Sequence, residues 1–72
     1  MTVTAVSEIF RSVLSGPDVS DDSNFFDLGG DSLLATRVLS AVSRRFDAEL
    51  TFDDFLSAPT PAALATLIGS RR

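Results

Sequence analysis

Hydrophobic residues recur at the spacing of an α-helix near the N-terminus of the chain. The stripe consists of Val6, Ile9, Phe10, Val13 and Leu14, which follow the i, i+3, i+4, i+7, i+8 pattern of one helical face. Either Thr2 or Thr4 is a suitable N-terminal cap. Gly16 suits the C-terminal cap, and Pro17 cannot continue the helix. The pattern therefore predicts a first helix that starts after Thr2 or Thr4 and ends at residues 15–17.

A second and longer stripe predicts a helix from Ser32 to Arg45 or Phe46. Its inward residues are Ala35, Val38, Leu39, Val42 and Phe46. Leu33, Thr36 and Ser40 fall on an adjoining face, with Arg37 beside them. Leu33 either packs beneath the preceding loop or remains partly exposed as a contact for another protein. The pattern leaves both interpretations open.

Two shorter helices are predicted in the last third of the chain. Thr51 is expected to cap a brief helix over residues 52–57, with Asp54 completing an approximate capping box. The apolar face of that helix comprises Phe52, Phe55 and Leu56. Aromatic residues at such spacing are more often part of a core than of a ligand site.

Thr60 and Pro61 indicate the start of a last helix, as a cap followed by proline at the first helical position. Leu64, Leu67 and Ile68 are expected to face inward, and Gly69 to stop the helix. Arg71 and Arg72 would then form a short tail. Because no segment is predicted to be a strand, the chain is expected to be all-α. It should be a small four-helix bundle, with three main helices and a short third one, in a single domain over residues 1–72.

The segment between the first two helices, residues 15–31, has no sustained periodicity. It contains five aspartates and no basic residue: Asp18, Asp21, Asp22, Asp27 and Asp31. A loop this long in a small domain is unusual and tends to be functional or mobile. A solvated, turn-rich loop is favoured over a cation site, because the spacing does not match a calcium loop. Val19, Phe26 and Leu28 are the expected apolar anchors, with Phe25 partly covered.

The composition of the chain excludes several classes of function. The chain has 72 residues, a net charge of −4, six arginines, and no His, Cys or Lys. An acidic chain repels nucleic acid, and no apolar run is long enough to span a membrane, so the expected compartment is the cytosol. The usual general base, thiol nucleophile and Schiff-base amine are all missing, which argues against an enzyme.

Ser32 is the one hydroxyl whose position indicates a special role. It follows Gly29 and Gly30, and it lies where the second helix begins. Capping is the commonest role of serine there, but Asp31 could cap instead and leave Ser32 at the first helical position. A helix N-terminus favours an attached phosphate.

Without a base to activate it, Ser32 is better interpreted as a substrate of another enzyme, through phosphorylation or attachment of a phosphate-linked arm. The glycines either satisfy an unusual turn or allow that enzyme to approach closely.

The run LGGDSLLATRVLSAVSRRF resembles the signature of the phosphopantetheine carrier proteins, especially the peptidyl carrier (thiolation) domains of nonribosomal peptide synthetases. The resemblance covers almost the whole chain and includes NFFDLGGDSL, TFDDFLSAP and TPAALA. It implies a carrier without catalysis of its own. A phosphopantetheinyl transferase with Mg²⁺ would attach 4′-phosphopantetheine from coenzyme A to Ser32, with Gly30 and Asp31 as the flanking motif. The thiol of the arm would carry an aminoacyl or peptidyl group as a thioester.

The same resemblance implies the partners. An adenylation enzyme or domain would load the arm, and condensation, tailoring or thioesterase partners would use its cargo. Leu33, Thr36 and Ser40 match the partner-facing positions, and we add Arg37 and Phe25 to this expected surface. The protein is expected to be a monomer, with no metal of its own.

Two features favour the peptidyl type over an acyl carrier of a polyketide or fatty-acid pathway, which is the alternative. These are the Gly29-Gly30 pair and a second helix that lacks acidic residues and carries Arg37, Arg44 and Arg45. A non-covalent helical adaptor, in which Ser32 only caps, is an alternative of a different class. From the start at Met1 and the lack of linkers we expect a free-standing carrier, although a domain excised from a longer protein would have the same sequence.

Overall fold

The computed structural model describes residues 2–16 and 18–71. Within them the chain forms four helices: α1 (Thr2–Leu14), α2 (Ser32–Phe46), α3 (Phe52–Ser57) and α4 (Pro61–Arg71). The described residues contain no strand, and the all-α, four-helix prediction is confirmed. No helix in this part of the chain is both long enough and apolar enough to cross a membrane.

The core lies where α1 packs against α2 and α4, with α3 packed on α2. Its centre is a cluster of three fully buried phenylalanines, Phe10, Phe25 and Phe55. The rings of Phe10 and Phe25 meet edge to face with centroids 5.1 Å apart, as do those of Phe25 and Phe55, and Phe10 and Phe55 lie 5.9 Å apart. Such edge-to-face pairs add to the stabilisation that burial alone provides.

The long first loop is held onto this core by backbone hydrogen bonds. The Phe25 N–H donates to the Pro59 carbonyl at 2.8 Å, and the Ala62 N–H donates to the Asp21 carbonyl at 3.0 Å. The side chain of Asn24 accepts from the N–H groups of Phe26 and Asp27. These bonds join the loop to the connection between α3 and α4 and to the first turn of α4, so the loop is part of the packed structure.

The structure corrects the expected burial of the two adjacent phenylalanines. Phe25, expected to be only partly covered, is completely buried, whereas Phe26, the expected anchor, is half-buried. Val19 is half-buried and packs against the core, and Leu28 is half-buried. The reason is that the turn over residues 25–29 directs the ring of Phe25, and not that of Phe26, between Phe10 and Phe55.

Both ends of α1 differ from the prediction. The helix already includes Thr2 and Thr4, so neither caps it. At the other end the Gly16 N–H donates to the Arg11 carbonyl at 3.0 Å, which is the six-to-one bond of a Schellman motif. In that motif the left-handed position belongs to Ser15, whose φ is 64°. Gly16 is therefore one residue beyond its expected place, and the expectation for Pro17 lies outside the described residues.

The expected stop of α4 at Gly69 is wrong, because the helix continues to Arg71. The guanidinium of Arg71 donates two hydrogen bonds of 3.0 Å to the carboxylate of Asp54 on α3. That contact stabilises the last turn of α4, so Arg71 is a structural residue and not part of a free tail. Arg72 lies outside the described residues.

The short helix α3 forms at its predicted position with the predicted capping box. The Asp54 N–H donates to Thr51 Oγ1 at 3.1 Å, and the Thr51 N–H donates to Asp54 Oδ2 at 2.9 Å. The burial of its apolar face differs from the prediction. Only Phe55 is buried, whereas Phe52 and Leu56 are 37% and 50% exposed.

Candidate functional site

Ser32 is placed by the cap of α2. Asp31 has extended backbone geometry, with φ −138° and ψ −174°, and its Oδ1 accepts from the Leu34 N–H at 2.9 Å. This is the geometry of an N-terminal cap. Of the two roles that the sequence left open for Ser32, the structure therefore shows the second. Asp31 caps the helix, and Ser32 is its first residue.

The side chain of Ser32 is exposed. Among the hydrogen bonds of the described residues, none involves its hydroxyl; the contact at this residue is made by its carbonyl, which accepts from Thr36 Oγ1 at 3.0 Å. No carboxylate of the described chain is within hydrogen-bonding distance of the hydroxyl to serve as its base. A serine nucleophile needs such a base, so the geometry offers an accessible hydroxyl without a means of activating it.

The first turn of α2 contains backbone N–H groups with and without hydrogen-bond partners. The Ala35 N–H donates to the Asp31 carbonyl at 2.8 Å, and the Leu34 N–H is used by the Asp31 side chain. Within the described residues, the N–H groups of Ser32 and Leu33 have no such partner. Unpaired N–H groups in the first turn of a helix attract an anion.

The two glycines before Asp31 have separate structural reasons. Gly29 has φ 101°, a left-handed conformation that other residues rarely adopt. Gly30 lies against the ring of Phe25, and a Cβ atom there would clash with that ring. The turn interpretation therefore accounts for both glycines. A role in admitting a second protein is compatible with this geometry but is not needed to explain it.

The residues expected to meet partners divide into two groups. Leu33 is 65% exposed, which removes the interpretation that it packs under the loop, and Thr36, Arg37 and Ser40 are also exposed. Phe25 is fully buried, so its assignment to the partner surface is wrong: it could reach a partner only if the core opened. Phe52 and Leu56 on α3 form an exposed apolar pair that was not predicted from the sequence. Their i, i+4 spacing on a six-residue helix was the available signal.

Charge around the site is unevenly distributed. The arginines of α2, Arg37, Arg44 and Arg45, are exposed, and no acidic residue lies within that helix. The five aspartates of the loop do not converge: the described residues contain no group of three or more potential metal ligands.

Away from Ser32, Asp54 on α3 has a lowered pKa. The Thr51 N–H, and secondly the Arg71 guanidinium, hold the pKa of Asp54 below its usual range, against a smaller opposing effect of desolvation.

Comparison with known proteins agrees with this geometry. Residues 4–68 match the family described as "Phosphopantetheine attachment site". The chain is 46% identical over 61 residues to pyochelin synthetase PchE of Pseudomonas aeruginosa, covering 85% of this chain and 4% of that protein. It is 43% identical over 65 residues to the nonribosomal peptide synthetase agiA of Aspergillus flavus, covering 90% of this chain and 1% of that protein. The chain thus spans only a few per cent of these relatives.

The fold is similarly matched by solved structures. One match is to a chain in the structure of the phosphopantetheine transferase Sfp in complex with coenzyme A and a peptidyl carrier protein. The TM-score of this match is 0.94, and the sequence identity is 31%. The match covers 99% of this chain and 92% of that one. Together these findings confirm the resemblance to peptidyl carriers of nonribosomal peptide synthetases. The chain belongs to the phosphopantetheine attachment site family.

Proposed function

We propose that this chain is a non-catalytic carrier in nonribosomal peptide biosynthesis, and that Ser32 bears its 4′-phosphopantetheine arm. The observation that carries the proposal is the exposed Ser32 hydroxyl, which forms no hydrogen bond within the described residues because Asp31 supplies the cap. An ordinary capping serine would have its oxygen engaged by the backbone. Here the hydroxyl remains available to an incoming phosphate.

The residues around Ser32 fit such a group. The N–H groups of Ser32 and Leu33, unpaired within the described chain, lie in the first turn of α2. There they would donate to phosphate oxygens, and the helix dipole would stabilise the added negative charge. When attached, the arm supplies a terminal thiol on which an aminoacyl or peptidyl group is held as a thioester. The chain has no cysteine that could do this itself.

The partners in this proposal are those that the family resemblance implies. The arm is transferred from coenzyme A by a phosphopantetheinyl transferase with Mg²⁺ and loaded by an adenylation enzyme or domain. Condensation, tailoring or thioesterase enzymes then use the cargo. The peptidyl carrier solved in complex with a transferase and coenzyme A supports the first of these steps. The proposal includes a monomeric domain over residues 1–72 and the cytosolic location expected from the sequence.

The proposed partner surface consists of Leu33, Thr36, Arg37 and Ser40. All four are exposed on α2 within nine residues of Ser32. Because Leu33 is a large apolar side chain with 65% of its surface exposed, we expect apolar contact to contribute to recognition more than charge does. The alternative, an acyl carrier, would be loaded by an acyltransferase instead of an adenylating enzyme. The identity of the loading enzyme therefore distinguishes an acyl carrier from the proposed peptidyl carrier.

The test is intact mass after incubation with coenzyme A, Mg²⁺ and a permissive phosphopantetheinyl transferase. Wild type is expected to gain one phosphopantetheine, and Ser32→Ala none. Ser12→Ala, which removes an exposed hydroxyl on α1, is the matched control and should be loaded like wild type. Ser32→Ala should also change the free energy of unfolding by less than about 0.5 kcal/mol, as at other unbonded surface positions.

Two results would contradict the proposal. A mass increment on folded Ser32→Ala would place the arm elsewhere. No increment on folded wild type would favour the helical adaptor, whose partner binding should survive Ser32→Ala.

A further inference from the structure

The segment just before α2 forms a hydrogen-bonded turn over residues 24–30. At its start, the side-chain Oδ1 of Asn24 accepts from the N–H groups of Phe26 at 2.9 Å and Asp27 at 3.3 Å. A side-chain oxygen that accepts from N–H groups two and three residues later is the geometry of an N-terminal cap. The Leu28 N–H then donates to the Asn24 carbonyl at 3.1 Å, which is the spacing of one helical turn.

The 24–30 turn is closed at its other end by its two glycines. The Gly30 N–H donates to the Phe25 carbonyl at 3.1 Å, and the Gly29 N–H donates to the Phe26 carbonyl at 3.2 Å. These are the six-to-one and five-to-two bonds of a Schellman motif. Gly29 occupies the left-handed position of that motif, with φ 101°. The turn is therefore held by the Asn24 side chain at its start and by backbone bonds at its end.

The core fixes the position of the 24–30 turn. The ring of Phe25 is fully buried in the phenylalanine cluster, and the Phe25 N–H donates to the Pro59 carbonyl at 2.8 Å. Asp31, the cap of α2, follows the turn directly, and Ser32 comes next. A continuous set of contacts thus runs from the core through the turn to the candidate site.

Asn24 is the side chain in this set of contacts to which the site has so far given no role. It is half-buried, and its Oδ1 is the acceptor for both N–H groups at the start of the turn. Removing that oxygen leaves two backbone donors without their partner, which destabilises the conformation that they support. The closing bonds at the glycines would then hold the turn from one end alone.

We propose that Asn24 is a positioning residue for the modification of Ser32. By capping the 24–30 turn, Asn24 fixes where Asp31 caps α2 and hence where the Ser32 hydroxyl lies. The inference rests on the proposed function, in which a transferase attaches the arm to that hydroxyl.

The chemistry of the transfer makes the position of this hydroxyl important. Ser32 Oγ forms a bond to phosphorus, the pyrophosphate bond of coenzyme A breaks with adenosine bisphosphate as the leaving group, and the hydroxyl proton passes to the transferase. The attacking oxygen must lie in line with the breaking bond, and small displacements of a reacting atom cost large factors in rate. Because this chain places no base at Ser32, its own contribution to the transfer is the position of the oxygen.

The experiment compares the steady-state kinetics of loading for wild type, Asn24→Ala and Asn24→Asp. Coenzyme A, Mg²⁺ and a phosphopantetheinyl transferase are supplied, intact mass measures the product, and circular dichroism shows that each variant is folded at the assay temperature. Asn24→Ala should lower kcat about tenfold. The KM for the carrier should stay close to that of wild type, because the proposed partner surface on α2 is not altered. Asn24→Asp should restore most of the rate, since aspartate caps as well as asparagine does.

Thr51→Ala is the matched control, because it also removes a side-chain cap. Thr51 Oγ1 accepts from the Asp54 N–H at the start of α3, and Thr51 forms no hydrogen bond with the 24–30 turn within the described residues. The control should lower the unfolding temperature but be loaded at the wild-type kcat. Backbone amide NMR should show shifts at Asp31 and Ser32 in Asn24→Ala and none there in Thr51→Ala.

Three results would overturn the inference: a wild-type kcat for folded Asn24→Ala, an equal loss of kcat in Thr51→Ala, or a failure of Asn24→Asp to restore the rate. Each of them leaves the proposed function standing, because wild type is loaded in the same assay. A folded wild type that gains no mass instead overturns the proposed function, and this inference with it.

Discussion

At the scale of single residues, the contact between Gly30 and Phe25 connects the core to the candidate site. The Gly30 N–H donates to the Phe25 carbonyl at 3.1 Å, and the Phe25 ring lies directly against the Gly30 Cα. A Cβ atom at position 30 would clash with the ring and lie 2.8 Å from the Phe25 carbonyl oxygen. Since Asp31 and Ser32 follow immediately, the absence of a side chain at Gly30 lets α2 start close to the core.

We predict opposite effects for the same substitution at two glycines. Gly30→Ala should lower the free energy of unfolding by about 1–3 kcal/mol, because the added carbon would clash with the fully buried ring of Phe25. Gly69→Ala should raise it by about 0.5–1 kcal/mol, because Gly69 lies inside α4 and a Cβ there meets no neighbouring atom within 4 Å. Urea denaturation monitored by circular dichroism measures both. A Gly30→Ala protein as stable as wild type would show that Phe25 is not confined as described.

At the scale of elements, α3 depends on interactions outside itself. A helix of six residues is marginal alone, because nucleation is costly and few hydrogen bonds repay it. The capping box satisfies two of the backbone donors at its start, the N–H groups of Thr51 and Asp54. The same Asp54 carboxylate pairs with Arg71 at the end of α4. One carboxylate thus caps α3 and connects it to α4.

The lowered pKa of Asp54 makes this connection sensitive to acid. The contribution of a carboxylate with a depressed folded-state pKa is fully present above its unfolded-state pKa of 3.8, and is lost as pH falls through the lowered folded-state pKa. Arg71→Met should raise the pKa of Asp54 towards its ordinary value and lower the unfolding temperature at neutral pH. Because the Thr51 N–H is the larger cause, part of the pKa depression should remain.

The measurement is an NMR titration of Asp54, with thermal unfolding followed at the same pH values. Arg44→Met, which removes an exposed arginine of α2, is the control and should leave the Asp54 titration unchanged. An Asp54 pKa that does not move in Arg71→Met would show that the ion pair is absent in solution.

At the scale of the whole molecule, the structure is organised around the cluster of Phe10, Phe25 and Phe55. One member comes from α1, one from the long loop and one from α3, so the cluster joins segments that are distant in the chain. Backbone hydrogen bonds from the loop to Pro59 and Ala62 reinforce the same arrangement. A loop of this length is tolerated in a small bundle because its own phenylalanine belongs to the core.

We predict that Phe25→Ala strongly destabilises the fold and lowers its unfolding temperature. Truncating a buried phenylalanine costs about 3–5 kcal/mol. The expected total stability of a 72-residue domain is only about 4–11 kcal/mol, at about 0.05–0.15 kcal/mol per residue. Phe52→Ala, at the exposed end of α3, should cost less than about 1 kcal/mol. Thermal unfolding by circular dichroism compares the two; similar unfolding temperatures would contradict the described difference in burial.

Local rules predicted much of the fold and of the site. The bounds of α2 and α3 agree with their hydrophobic spacing, and Thr51 and Thr60 cap where the sequence indicated. Each of these features depends on groups within four residues of one another, so the local sequence contains the information. The candidate site could be predicted from the sequence for the same reason. Asp31 and Ser32 lie at a helix start that the hydrophobic pattern already defines.

The features that local rules missed depend on residues far apart in the chain. Gly69 was expected to stop α4, but Asp54, a residue of α3, pairs with Arg71 beyond it. Positions 25 and 26 of the loop are both phenylalanine, and only packing against Phe10 and Phe55 decides which of the two is buried. The sequence by itself determined the positions of the four helices, the caps at Thr51 and Thr60 and the location of Ser32 at a helix start, since these follow from short-range hydrogen bonding and periodicity. Only the tertiary structure decided which apolar residues form the core and which remain on the surface, because burial depends on what the rest of the chain brings against each side chain.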